Sequence, residues 1–201
     1  MPPSCRWLPW KPCGRRRERL WSRWRQTGTV LAPLALPAPL SASLPDAVLR
    51  HATPSDLDAI IVLLTDDDVS VERGHGPETV DRAAYLRGLE AVLGDPSNTI
   101  VLAVLGDGRV VGTMQLTLIP GMTRGGASRL LVEAVRVSSA LRSGGIGSAM
   151  LRWTMDVAAP ALGVALVQLT SDARRSDAHR FYERLGFAGS HRGFKWAVPA
   201  N

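Results

Sequence analysis

Cysteine is scarce in this chain of 201 residues: it has two, Cys5 and Cys13, and residues 46–201 have none. Those two, with no histidine beside them, match no metal-ligand spacing, and no metal site is expected. The cysteine-free stretch fits a reducing compartment, so a cytoplasmic location is expected. It also leaves no thiol there to carry an acyl group through a covalent intermediate. No apolar run reaches the ~18 residues of a membrane span. No internal repeat is visible.

A positive excess is also missing from most of the chain. The formal net charge is +6 and the pI about 10.3. Residues 1–45 carry eight Arg and Lys against Glu18, a net +7, which leaves about −1 for residues 46–201. The basic pI therefore belongs to the N-terminal segment and is no evidence that the rest binds nucleic acid. The same segment holds four of the six Trp and eight of the fourteen Pro. Composition thus divides the chain into a basic Arg/Trp/Pro-rich leader, 1–45, expected to be disordered, and a folded domain, 46–201. The leader's bland reading includes a start codon placed too far upstream. Two functional readings stay open beside it, a secretory signal and an arm that touches membrane or nucleic acid. Pro33, Pro37 and Pro39 interrupt the apolar run that a signal needs.

From residue 46 the pattern alternates strands and helices. "AVLRHA" (47–52) reads as a strand, and "TPSDLDAIIVLL" as a helix with Thr53 as N-cap, Pro54 first and Asp56 closing a capping box. A second helix carries Ala84, Leu86, Leu89 and Val92 on one side and ends at "GDPSN". Gly106-Asp107-Gly108 between two apolar runs predicts a hairpin. A strand at 128–137, a helix from Ile146 to about Gly163, a buried strand at 164–170 and a helix capped by Ser176 and closed by Gly186 follow. "HRGFKWAV" reads as a last strand. Helices between strands of a mostly antiparallel sheet make the class α/β or α+β.

Three glycines in four positions, Gly144, Gly145 and Gly147, mark the start of the helix at Ile146. Glycine costs backbone entropy, so bare backbone must be needed there, by a tight turn or by a ligand on the main chain. A helix N-terminus offers unpaired N–H groups and a favourable dipole to an anion, and Arg142 adds a formal charge. The segment lacks the Lys of a P-loop and the third Gly of G-x-G-x-x-G. A pyrophosphate ligand remains, while nucleotide hydrolysis and dinucleotide redox chemistry lose their best evidence.

At this point the chain resembles the GNAT superfamily of N-acetyltransferases. Arg142, Gly145 and Gly147 match its [Arg/Gln]-x-x-Gly-x-[Gly/Ala] loop, and "AHRFYERLGF" (178–187) looks like its A-x-x-x-Y-E-x-x-G-F segment. The resemblance covers about residues 46–198. It implies a mixed, mostly antiparallel central sheet flanked by helices and splayed between the family's fourth and fifth strands. It implies acetyl-CoA as cosubstrate and a primary amine of a small molecule as acceptor, joined by direct attack in a ternary complex. Ser143, Gly144, Gly145, Ile146, Gly147 and Ser148 would line the pyrophosphate with Arg142. The backbone of Val135, Arg136 and Val137 would hold the pantetheine arm and polarise the thioester carbonyl. Tyr182 matches the tyrosine that protonates the departing thiolate, against the bland reading of a half-buried amphipathic tyrosine. Arg175 stands where many members carry a cofactor-contacting Asn, and an arginine there could still reach a phosphate. Pairing of two copies as a homodimer is common in the family. A CoA-binding sensor or interaction module of the same fold is the alternative to an enzyme.

The general base rests on less. By two-residue alternation Glu133 shares a strand face with Leu131, Val135 and Val137, where apolar surroundings would suit it to take a proton from an ammonium through water. An ion pair with Arg129 or Arg136, or a water-facing position, is the other reading. Thr170 stands where relatives that acetylate protein N-termini tend to place a glutamate, which counts against that substrate class. His179 is expected to be solvated or structural. His191, Arg192 and Lys195 would line an anionic acceptor's pocket or form an exposed strand face. Trp153 and Trp196 read as core or edge packing. Asp66, Asp67, Asp68 and Glu72 form an acidic run that could attract a cationic amine or simply be solvated.

Overall fold

The computed structural model describes residues 31, 34–40, 46–66 and 76–199. The Arg/Trp run of the leader and Asp67, Asp68 and Glu72 lie outside the described residues. Six strands form one sheet in sequence order: β1 (Ala38–Pro39), β2 (Val48–His51), β3 (Asn98–Val104), β4 (Val110–Ile119), β5 (Arg129–Val137) and β6 (Leu166–Leu169). Neighbours are antiparallel except β5 and β6, which are parallel. The expected mixed, mostly antiparallel sheet is what forms. The family's fourth and fifth strands are β5 and β6 here, because the two-residue β1 comes first.

Period-two alternation sorts the sheet residues into two cores. On β3, Ile100, Leu102 and Val104 face one side, where α1 (Leu57–Thr65) and α2 (Arg82–Gly94) cover them with Leu57, Ile60, Ile61 and Leu89. Val101 and Ala103 face the other side with Met114, Leu116, Leu130 and Val132. There they meet α3 (Ile146–Trp153), whose Ile146, Met150 and Leu151 are buried. The chain continues from α3 through a wider π-helical turn, Thr154–Ala158, to Ala159–Leu162. Thr154 is fully buried and donates its hydroxyl to the Met150 carbonyl at 3.0 Å.

The predicted local signals hold at several junctions. Asp56 Oδ2 accepts the Thr53 backbone N–H at 2.8 Å, completing a capping box, though the first turn, Pro54–Asp56, is 3-10 rather than α. Leu105 and Arg109 close the β3–β4 hairpin around Gly108, whose φ is +86°.

Four expectations are corrected. Ordered structure begins before residue 46: β1 pairs with β2, and Leu31, Leu34 and Leu40 are buried in the larger core. The composition boundary therefore falls inside the fold, because a proline-rich apolar stretch can still supply leucines to a core. The strand at 164–170 is shorter and half-buried, because it is the edge of the sheet. In the helix α4 (Ser176–Arg184) Ser176 is the first helical residue rather than the cap, and Arg175 at the N-cap position makes no side-chain cap bond. Finally, "HRGFKWAV" forms no strand: residues 188–199 are exposed and without ladder bonds. Trp196 is 80% exposed rather than packed, whereas Trp153 is in the core. Gly189 and Gly193 raise the entropy of ordering this segment, and no strand among the described residues pairs with it.

Candidate functional site

The site is built on the C-terminal half of β5. On one side β5 pairs with β4 along its length, while its ladder with β6 ends at Val132–Leu169. The edge from Glu133 to Val137 is therefore open toward β6, which is the splay expected there. These open backbone groups can receive an extended ligand as a further strand would.

A bulge interrupts the β4–β5 ladder at Ala134, which has φ +50°, opposite Met114. Partners across a ladder point to the same face of the sheet. Gln115 pairs with Glu133 and Thr113 with Arg136, so Glu133 and Arg136 share a face. Val137 pairs with Gly112, on the Met114 face, and both Val135 and Val137 pack against the larger core. The alternation that put Glu133 beside Val135 and Val137 is thus overturned, because one extra residue flips every later side chain. Glu133 is exposed, next to Gln115 and Arg136 rather than in apolar surroundings.

Past Val137 the chain turns through Ser139–Leu141 into the glycine loop. Ser143 (φ +67°) and Gly145 (φ +82°) are both left-handed. Gly145 is glycine because of that φ: a Cβ on it would meet nothing within 4 Å. Gly147 is different. A Cβ there would make ordinary contacts at 3.6 Å with Phe181 and Val137, so protein packing alone does not demand glycine. Gly145 is the N-cap of α3 and supplies no capping side chain, so the first-turn N–H groups keep the anion-binding capacity of an uncapped helix end. Of the residues expected to line a pyrophosphate, Ile146 can offer only its backbone, since its side chain is 1% exposed and in the core. Gly144 and Ser148 are half-buried and Ser143 is exposed. Arg142 is exposed and donates Nη2 to the Asp66 carbonyl oxygen at 2.5 Å.

Tyr182 comes to this site from α4. Its ring stacks edge-on against Phe187 at 5.9 Å and lies tilted against Phe181 at 5.3 Å. Burial raises its pKa above the ordinary value near 10, while the charges of Arg136 and Arg175 pull the other way. Arg136, Arg175 and Tyr182 therefore act on one another, although Arg136 is on β5 and Arg175 at the start of α4. Arg136 also donates Nη1 to the Val135 carbonyl at 2.9 Å. The outcome is a neutral phenol at neutral pH, able to give a proton, within the field of two guanidinium charges.

Other candidates stay apart from this cluster. His179 Nε2 lies 2.8 Å from the Asp172 carbonyl oxygen, a structural role. His191, Arg192 and Lys195 are exposed in residues 188–199 and belong to no strand among the described residues. Sequence reasoning missed two things: the bulge at Ala134, and the contact of Asp66 with the glycine loop. Neither leaves a local signal.

Comparison with known proteins bears on this arrangement. The profile of the acetyltransferase (GNAT) family matches residues 59–187. An aminoalkylphosphonate N-acetyltransferase from Salmonella typhimurium is 33% identical over 155 residues, covering 77% of this chain and 94% of that one. A crystal structure described as a transcriptional regulator from Bacillus halodurans superposes with a TM-score of 0.67 at 36% identity, covering 76% of this chain and 99% of that one. An acetyltransferase from Trypanosoma brucei gives 0.60 at 25% identity, covering 76% and 100%.

Proposed function

The chain belongs to the acetyltransferase (GNAT) family, and on that premise we propose that it transfers an acetyl group from acetyl-CoA to a primary amine of a small molecule. The observation that carries this is the open edge of β5 from Glu133 to Val137, with the proton donor Tyr182 at its side. The pantetheine arm lies along the backbone of Val135, Arg136 and Val137, and the pyrophosphate on the uncapped start of α3, residues 143–148, with Arg142. The amine attacks the thioester carbonyl directly, and a backbone N–H of β5 stabilises the oxyanion. As the tetrahedral intermediate collapses, the C–S bond breaks, the thiolate takes the Tyr182 proton, and the proton shed by the new amide nitrogen returns to the phenolate through water. Glu133, exposed on the acceptor-side face, accepts a proton from the ammonium through water. Arg175 supports the cofactor end as a positive charge.

The acceptor class follows from that face. Glu133 and Arg136 offer opposite charges two ladder positions apart, roughly 7 Å along the strand. An amine a few bonds from an anionic group fits such a pair, and the Salmonella relative is named for aminoalkylphosphonates. We propose acceptors of that kind. Phe194, Trp196 and Val198 are the apolar surface through which two copies would pair, and the protein works in the cytoplasm. Among the described residues no helix is long and apolar enough to cross a membrane.

One observation favours a second reading, a CoA-binding sensor that transfers nothing: the Bacillus halodurans structure is described as a transcriptional regulator. The test is an acetylation assay with 2-aminoethylphosphonate, run with calorimetric titration of acetyl-CoA. For an enzyme, Tyr182→Phe lowers kcat on the order of a hundredfold and leaves acetyl-CoA affinity within about twofold. Wild type should also lose activity at alkaline pH as the raised Tyr182 pKa is passed, a limb that Phe abolishes. Acetyl-CoA binding with no transfer to any amine would favour the sensor.

A further inference from the structure

Asp66 directly follows the last residue of α1 and reaches the glycine loop by three contacts. Its Oδ2 accepts the Ser139 backbone N–H at 2.7 Å, and its carbonyl oxygen accepts from Arg142 Nη2 at 2.5 Å. Its Oδ1 lies 3.7 Å from the same nitrogen. Ser139 opens the 3-10 turn Ser139–Leu141, and the preceding Ser138 gives that turn no side-chain cap. Asp66 supplies the cap from 73 residues away. Arg142 in turn rests on the C-terminal end of α1, where the helix dipole favours a cation.

Resting on the reading of residues 142–148 as the donor's pyrophosphate site, we propose that Asp66 is a positioning residue for that donor. It holds the Ser139–Arg142 turn in place and seats Arg142 beside the helix end that takes the phosphates. A carboxylate repels phosphate, so Asp66 is not itself a phosphate ligand; it acts through Ser139 and Arg142. An unfixed turn would have to be ordered at the moment of binding, and that ordering would be subtracted from affinity. α1 also packs on β4 and β5, on the face that carries Glu133. Asp66 thus ties the acceptor-side helix to the donor loop.

The test uses the full chain and two donors: acetyl-CoA, read by calorimetry, and S-acetylpantetheine, which has the acyl arm without pyrophosphate, read by ligand-observed NMR. Asp66→Ala is expected to weaken acetyl-CoA about tenfold, the size of a lost cap, and to leave S-acetylpantetheine unchanged. Asp66→Asn keeps an oxygen for the Ser139 N–H and should recover most of that loss. Equal acetyl-CoA affinity in Asp66→Ala and wild type overturns the proposal. So does a parallel loss for both donors, which means general loosening rather than positioning. A wild type that binds no acetyl-CoA is a different failure and overturns the donor reading itself.

Discussion

Residues 138–147 carry three glycines and residues 188–198 two, yet one is a built loop and the other a bare tail. In the loop, bonds arrive from elsewhere in the fold. Ser138 N–H donates to Val111 at 2.9 Å, Ser139 to Asp66, and the next turn closes on Leu141. In the tail, Ser190 bonds Ala188 and His191, its own near neighbours. Strained residues such as Ser143 persist because remote partners over-determine them. Alternating apolar residues such as Phe194, Trp196 and Val198 do not make a strand without a partner. Glycine content distinguishes neither case.

The largest effect should come from forcing the comparison at one glycine on each side. Gly145→Val places a branched side chain at φ +82°, costing about 1–2 kcal/mol of stability. It also puts a Cβ on the face of the uncapped N–H groups, so acetyl-CoA affinity should fall on the order of a hundredfold. Gly193→Val, where a Cβ meets nothing within 4 Å and φ is not left-handed, should move stability by less than about 0.5 kcal/mol. Thermal melting and calorimetry read both. Comparable losses at the two positions would mean that the tail, too, is held.

A smaller effect tests the same device at another junction. Asp56 closes the capping box of the 3-10 turn that leads into α1 and is gripped by the two terminal Arg50 guanidinium nitrogens at 2.7 and 2.8 Å. That bond first, then the Thr53 bonds against the cost of burial, lowers its pKa from 3.8 to about 2. The folded pKa lies below the unfolded one, so the stabilisation is present above about pH 4 and is lost as pH falls toward 2. Its size is about 2 kcal/mol. Asp56→Asn should lower stability at pH 7 by about that amount and flatten the acid limb of a stability–pH curve. An unchanged acid limb would show that the Arg50 pair contributes nothing.

What was legible in the sequence follows the same division. The glycine loop, the Gly106-Asp107-Gly108 hairpin, the Thr53 capping box and the helix that carries Tyr182 were readable because each needs residue types within a few positions. The bulge was not, because Ala134 at φ +50° is imposed by the ladder on a residue that advertises nothing. It alone moved Glu133 from an apolar face to one shared with Arg136. Asp66 read as part of a solvated acidic run because its partner is 73 residues away. Leu31 and Leu34 were assigned to a leader on local composition, and their burial depends on a core formed by distant strands.

The smallest predicted effect decides whether the tail is bare in solution as well. Trp196 is 80% exposed and Phe194 88%, so Trp196→Ser removes little contact within one copy. Its melting temperature at low micromolar concentration should correspond to a change under about 0.5 kcal/mol. The proposed pairing of two copies through these side chains should make the wild-type melting temperature rise with concentration, because association stabilises by mass action. Trp196→Ser would then remove the concentration dependence and leave the dilute value alone. A loss above about 1 kcal/mol at every concentration would place Trp196 against its own chain. The tail would then be, like the glycine loop, a segment ordered from outside itself.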